Sequence, residues 1–86
     1  MLTAEELLLE NGYDGVKIFS DYSYDTALIG VSHNNQAIYD YDLMVEWLVD
    51  TQDFTIDEAV EWIDYNTFGV LSASPDDPII LFHLRD

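Results

Sequence analysis

TALIGVSHNNQAIY, residues 26–39, is the stretch that decides the fold. Residues 26–32 and 36–39 are two short runs enriched in β-branched, aliphatic and aromatic side chains, which favour strands. His33, Asn34 and Asn35 lie between them, and asparagine tolerates the positive φ that tight hairpin turns require. The stretch therefore predicts a β-hairpin.

Two capping boxes mark helices on either side of this hairpin. Thr3 with Glu6, and Thr55 with Glu58, match the pattern S/T-x-x-E, in which the hydroxyl and the carboxylate satisfy two backbone amides at the start of a helix. The first box predicts a short leucine-rich helix. The second predicts a helix that extends to about Asn66.

A further helix follows the hairpin directly. Asp40 or Asp42 can cap it, and its apolar periodicity extends to about Asp50. Both central helices are thus predicted to turn one face to a core. The positions predicted on those faces are Leu43, Met44, Trp47, Leu48 and Thr51 on the first helix, and Ile56, Ala59, Val60, Ile63 and Thr67 on the second.

Residues 16–19 and 79–84 complete the predicted strands, the second as a buried terminal strand. The order of elements is then α-β-β-β-α-α-β. This order predicts an α+β fold in which a small, mostly antiparallel sheet of three or four strands packs against two or three helices. The length of 86 residues is enough for one domain, residues 1–86.

The composition predicts a folded, strongly acidic protein. The chain is 49% hydrophobic, which argues against intrinsic disorder despite a net charge of −16. It contains no cysteine, so disulfides and cysteine metal sites are excluded. Residues 1–10 are acidic, unlike a signal peptide, and no apolar run approaches the ~20 residues of a membrane span. We therefore expect a cytoplasmic location and no membrane partner.

Motifs for catalysis and metal binding are weak. There is no Gly-rich phosphate loop and no nucleophile elbow, and His33 and His83 fall in a predicted turn and strand, where lone histidines are usually structural. Residues 21–25 begin like a calcium loop, but Thr26 replaces the required glycine and Ser32 the required glutamate. We expect no enzyme, no cofactor and no dedicated metal site, while weak cation binding at residues 21–25 stays open.

Carboxylates recur at helical spacing on the two central helices. The chain has 18 acidic residues and only two basic ones, Lys17 and Arg85. Like charges at i, i+4 destabilise a helix, by roughly 0.7 kcal/mol per pair at ~6 Å in water before screening. Such patterning has two interpretations: the stripes imitate a phosphate backbone, or they are a solvated face of an acidic protein, which is the commoner origin of a charge run. These acidic stripes are Asp42, Glu46 and Asp50 on the first helix, and Asp57, Glu61 and Asp64 on the second.

Aromatic residues accompany the acidic stripes. Trp62 and Tyr65 lie off the core face of their helix, and both residue types are enriched at the energetic centres of interfaces. A second group of tyrosines lies among aspartates, which is consistent either with a docking patch or with ordinary partial burial. This group consists of Tyr22, Tyr24, Tyr39 and Tyr41.

Several stretches resemble a family of small bacterial proteins common in gut bacteria and their mobile elements, for which no activity is assigned. They are DTALIGVS (residues 25–32), AIYDYD (37–42), MVEWL (44–48), EAVEWIDYNT (58–67) and PII (78–80), so the likeness covers roughly residues 13–82. The resemblance implies a mobile-element context and no catalytic residues. Small acidic proteins in that context include anti-CRISPR and anti-restriction inhibitors that mimic DNA, an analogy of charge, size and context only.

The leading hypothesis is a non-catalytic inhibitor that occupies the basic nucleic-acid-binding surface of a defence or DNA-processing protein. Its negative charge would repel nucleic acid itself and attract such a basic cleft. The residues predicted to bind the partner are Asp42, Glu46, Asp50, Asp57, Glu61 and Asp64, with Trp62 and Tyr65 as apolar anchors. The alternative is an interaction module that is acidic only for solubility or, less simply, through a halophilic origin.

Overall fold

Helices and a small sheet make up the part of the chain that the computed structural model describes, residues 2–19, 22–67 and 77–84. This combination confirms the predicted α+β class. The helices are α1 (Ala4–Glu10), α2 (Tyr41–Gln52) and α3 (Ile56–Trp62), and the strands are β1 (Leu28–Val31), β2 (Ala37–Asp40) and β3 (Ile79–Leu81).

The predicted hairpin is confirmed. β1 and β2 pair antiparallel, with Leu28 opposite Tyr39 and an irregularity in register before Gly30. In the turn, Asn35 adopts a φ of 61°, and the Ser32 hydroxyl accepts hydrogen bonds from two turn amides. The strand begins later than predicted because Asp25–Ala27 forms a 3₁₀ turn.

The sheet is mixed, which corrects the expectation of mostly antiparallel pairing. β3 lies beside β2 and runs parallel to it, with Tyr39 opposite Ile80. Parallel neighbours require a long crossover connection, and α2 and α3 lie within that connection. The terminal strand is also shorter than predicted and only partly buried, since β3 ends at Leu81, which is 40% exposed.

Residues 16–19 form no strand, contrary to the prediction. Three of their side chains, those of Val16, Ile18 and Phe19, are partly buried against the core. Apolar side chains can be buried in this way without ladder hydrogen bonds. The β-prone composition of this segment therefore reflects packing.

The predicted helix starts are confirmed in atomic detail. Both capping boxes are closed, with Thr3 and Thr55 each accepting from the amide three residues on. Asp40, not Asp42, caps α2 by accepting a hydrogen bond from the Leu43 amide. After α3 the chain continues in a π-helical turn, Ile63–Thr67. No helix in residues 2–19, 22–67 and 77–84 is both long and apolar enough to cross a bilayer.

The core lies between the sheet and all three helices. The burial of Thr67, a predicted core position, lies outside what the structure describes. Of the other predicted core positions, two are exposed instead: Ile56, which is 65% exposed as the first residue of α3, and Thr51. The Thr51 hydroxyl donates a hydrogen bond to the Trp47 carbonyl over 2.6 Å. Among the described residues, the buried core cluster consists of Ala4, Leu8, Tyr24, Ala27, Leu28, Ala37, Tyr39, Met44, Leu48, Ala59 and Ile63.

Candidate protein-docking surface

All six carboxylates of the acidic stripes are exposed. α2 and α3 pack against each other and are joined only by residues 53–55, so both stripes belong to one helical pair. Among the described residues the salt bridges are Lys17 to Asp77, at 2.7 Å, and His83 to Asp40. Neither includes any of the six. These carboxylates, Asp42, Glu46, Asp50, Asp57, Glu61 and Asp64, together with Trp62 and Tyr65, are called the docking surface below.

The two stripes approach each other at Tyr41, the first residue of α2. Burial raises the pKa of its phenol above the ordinary value of 10.0, and the charges of Asp64 and then Asp42 raise it further. One of these carboxylates follows α3 and the other belongs to the first turn of α2. The last carboxylate of the second stripe and the first of the other therefore both act on this one phenol.

An open groove lies beside Glu61, the middle carboxylate of the second stripe. Its volume is about 390 Å³, and both aromatic and acidic side chains form its walls. Tyr65 is the most accessible of the aromatic ones at 79% exposure. Flat π-faces beside carboxylates suit a cationic side chain, because the ring quadrupole and the carboxylate both attract positive charge. The groove residues are Phe54, Glu58, Glu61, Trp62, Tyr65 and Asn66.

Trp62 belongs partly to this groove and partly to the interior. Its ring centroid lies 5.2 Å from that of Tyr22 and 6.0 Å from that of Phe54. Its indole Nε1 is buried and has no hydrogen-bond partner among the described residues. Trp62 thus forms one wall of the groove, whereas Tyr65 projects into solvent.

The tyrosines that lie among aspartates in the sequence do not form an exposed patch. Tyr24 is 1% exposed and Tyr39 is completely buried, and their rings pack together at a centroid distance of 6.3 Å. Tyr22 links them to the groove through Trp62. The structure therefore supports the simpler interpretation of this sequence cluster, in which the tyrosines are packing residues.

The possible cation loop at residues 21–25 has only one described carboxylate. Asp21 lies outside the described residues. Asp25 Oδ1 accepts a hydrogen bond from the Ala4 amide over 2.7 Å. This carboxylate therefore fastens the start of α1 to the 3₁₀ turn before β1.

His83 is a site residue that the sequence did not identify. Its Nε2 is hydrogen-bonded to Asp40 Oδ2, while Asp40 Oδ1 caps α2. Burial opposes ionisation of Asp40, but the bond to His83 and the Leu43 amide hold the pKa of this carboxyl below its ordinary 3.8. The same bond and the Asp40 charge raise the pKa of His83 above 6.5. The pair lies 43 positions apart, so no local pattern could reveal it.

We expect the stability contribution of this pair to depend on pH. The His83 contribution is complete below pH 6.5 and is lost as pH rises through the raised pKa, while the Asp40 contribution is present above pH 3.8 and lost below it. His83→Ala should therefore lower the melting temperature most between these values, and the difference from the parent should shrink in alkali. Thermal melts in chelator-containing buffer across this range measure it.

The exposed turn residue His33 supplies the control for this pH dependence. His33→Ala removes an imidazole that has no contact with Asp40 and should give no comparable pH-dependent difference. Equal pH profiles for the two variants would show that the contact with Asp40 contributes nothing.

Comparison with family models, with curated proteins and with solved structures finds no match for this chain. The resemblance of residues 13–82 to small mobile-element proteins stays a prediction. The charge and geometry of the docking surface are the observations that bear on function.

Proposed function

We propose that this protein is a non-catalytic inhibitor or regulator that binds the basic nucleic-acid-binding surface of a partner protein. The partner would be a defence nuclease or another DNA-processing protein, met in the cytoplasm. Inhibition would be competitive: the acidic helices occupy the groove that nucleic acid otherwise fills, without turnover, cofactor or metal.

One observation carries this proposal: six exposed carboxylates lie on one helical pair and are in no salt bridge with another described residue. Exposed charges of one sign produce a potential that steers an oppositely charged cleft into contact. A stability-driven surface would intersperse cations at these i, i+4 positions. The repulsion between neighbouring carboxylates lowers the stability of the helices. A role of these carboxylates in binding would explain why the sequence keeps them.

The groove gives the interface a place for a specific contact. A guanidinium group is planar, stacks on aromatic faces and pairs with carboxylates. Many proteins bind phosphates through arginine side chains. An arginine released from a phosphate could therefore enter between Trp62 and Tyr65 and pair with Glu61. Charge would supply encounter and orientation, and this pocket would supply the central contact.

Salt dependence tests the proposal. Proteins captured from a lysate by the immobilised chain at low salt are purified, and each is loaded with a fluorescent DNA duplex. We expect the free chain to displace the duplex, with its affinity falling about tenfold or more between about 50 and about 200 mM salt. Capture without displacement of the duplex would contradict nucleic-acid mimicry.

The alternative function, an interaction module that is acidic only for solubility, is favoured by a separate apolar surface. Ile29 of the edge strand β1 is 50% exposed. Together with Leu7 and Tyr13 it lines a cavity of about 310 Å³. A partner bound there would respond little to salt. Its affinity would fall with Ile29→Ser and stay unchanged when the carboxylates of the docking surface are replaced.

A further inference from the structure

We propose that Asp40, Asp42 and His83 form a site for one divalent transition-metal ion of the zinc type. Each offers one ligand atom, and all three atoms lie within 4.8 Å of one another. The argument for this site does not depend on the proposed inhibitor function, although Asp42 belongs to both the site and the docking surface. It departs from the expectation, drawn from the sequence, that the chain holds no metal.

The three ligands come from elements that the fold brings together. Asp40 ends β2 and caps α2, Asp42 lies in the first turn of α2, and His83 follows β3. The parallel pairing of β3 with β2 places Leu81 opposite Asp40, and Phe82 stacks on Tyr41 at a ring-centroid distance of 4.8 Å. Convergence of an imidazole from one segment with two carboxylates from another sets this cluster apart from the stripes, which contain carboxylates alone.

The donor set indicates the class of metal. Imidazole nitrogen with carboxylate oxygen suits zinc and neighbouring transition metals, whereas calcium and magnesium prefer oxygen alone. At bond lengths of about 2.1 Å, tetrahedral ligand atoms stand about 3.4 Å apart. The hydrogen-bonded pair of Asp40 and His83 must therefore move apart to admit the ion, and the wider separations, up to 4.8 Å, must shorten. The exposed side chains of Asp42 and His83 can rotate to do so. Water would fill the remaining position.

The surroundings of the site supply features that metal centres commonly have. Asp40 is 6% exposed, and its Oδ1 is already oriented by the Leu43 amide, which leaves Oδ2 facing His83. Hydrogen bonds of this kind fix a ligand and tune its affinity. Because a metal ligand must be deprotonated, a proton held between Asp40 and His83 would be released when the ion binds. The nearby charge of Asp64, which reaches Tyr41, adds further attraction for a cation.

Metal binding would fasten the segment after β3 to the start of α2. Without the ion, this junction includes the hydrogen bond between His83 and Asp40 and the ring contact between Tyr41 and Phe82. A coordinated ion would join three residues across this junction. Because an ion that binds only the folded chain stabilises it, the melting temperature should rise with zinc concentration.

Titration with Zn²⁺, followed by NMR of the two histidine side chains, tests the site. We expect the His83 ring signals to shift to saturation at one ion per chain, while those of His33 in the exposed turn do not. Asp42→Asn should weaken zinc affinity about tenfold or more, and the zinc-induced rise in melting temperature should fall with it. Ca²⁺ at equal concentration should not reproduce the His83 shift.

Asp50→Asn is the matched control, since it makes the same chemical change at an exposed carboxylate of the same helix. It should leave zinc affinity nearly unchanged. Equal losses in the two variants, equal shifts of both histidines, or no saturable binding would each overturn the proposed site and indicate non-specific attraction to an acidic surface.

Discussion

Replacing Glu46, Asp50 and Glu61 together by lysine should weaken binding to a basic partner about 10³-fold while the chain stays folded. Each carboxylate attracts a partner cation by roughly 0.7 kcal/mol at ~6 Å in water, and reversal turns that attraction into an equal repulsion. Three reversals then change the binding free energy by about 4 kcal/mol, and each 1.4 kcal/mol is about tenfold in affinity. The measurement is displacement of the duplex from the captured partner, at low salt.

Folding should survive these three substitutions. The side chains are exposed, none takes part in a capping hydrogen bond, and lysine is a good helix former. The variant also loses like-charge repulsion between neighbouring turns, so its melting temperature should equal or exceed that of the parent. Circular dichroism melts verify this, so a loss of binding cannot be attributed to unfolding.

A variant of equal charge separates position from total charge. Glu5, Glu10 and Asp14 are exposed and belong to α1 and the segment after it, not to α2 or α3. Their replacement by lysine changes the net charge from −16 by +6 to −10, as the first set does. We expect this variant to bind the partner nearly as well as the parent. Equal loss in both variants would mean that overall acidity, and not the docking surface, governs binding.

The parts of the fold that the sequence predicts are those encoded within about four residues. The side chains of Thr55 and Glu58 are sufficient to cap the start of α3. The Glu58 amide donates to the Thr55 hydroxyl over 3.1 Å, and the Thr55 amide donates to the Glu58 carboxylate over 2.8 Å. Asn35 similarly allows the hairpin turn because asparagine tolerates the positive φ of 61° that it adopts there. Such local chemistry is independent of what the rest of the chain does, which is why these elements could be assigned from the sequence.

The parts that the sequence does not predict depend on contacts between distant positions. The side of the sheet on which β3 pairs, and its direction, follow from how α2 and α3 return the chain, which no local pattern specifies. The link between His83 and Asp40 is a consequence of that pairing. The stripes of the docking surface were predictable because helical spacing is local, whereas the groove also needed Phe54, which lies before α3.

Periodicity also fails at the end of a helix. Ile56 and Ile63 have the same chemistry and were both assigned to the core face of α3. Ile63 is fully buried, whereas Ile56 is 65% exposed, because the first residue of a helix can extend beyond the elements against which the later turns pack. Because Ile56 and Ile63 differ only in burial, the same substitution at each position tests the fold directly.

Ile63→Ala should destabilise the protein by about 2–5 kcal/mol, because it removes buried methyl groups and leaves a cavity. That is a large part of the roughly 5–15 kcal/mol expected for a small domain, and the melting temperature should fall by about 10–25 °C. Urea denaturation followed by far-ultraviolet circular dichroism measures the change. High salt should recover part of the loss in melting temperature, since it screens the repulsion within a chain of charge −16.

Ile56→Ala makes the identical substitution seven positions earlier and should change the free energy of unfolding by no more than about 0.5 kcal/mol. A comparable loss at Ile56 would mean that this side chain is covered in solution, and that α3 packs with a different rotation about its axis. Since Glu61, Trp62 and the following Tyr65 are carried by the same turns, such a rotation would also remove them from one groove. The isoleucine pair therefore tests both the core and the placement of the docking surface.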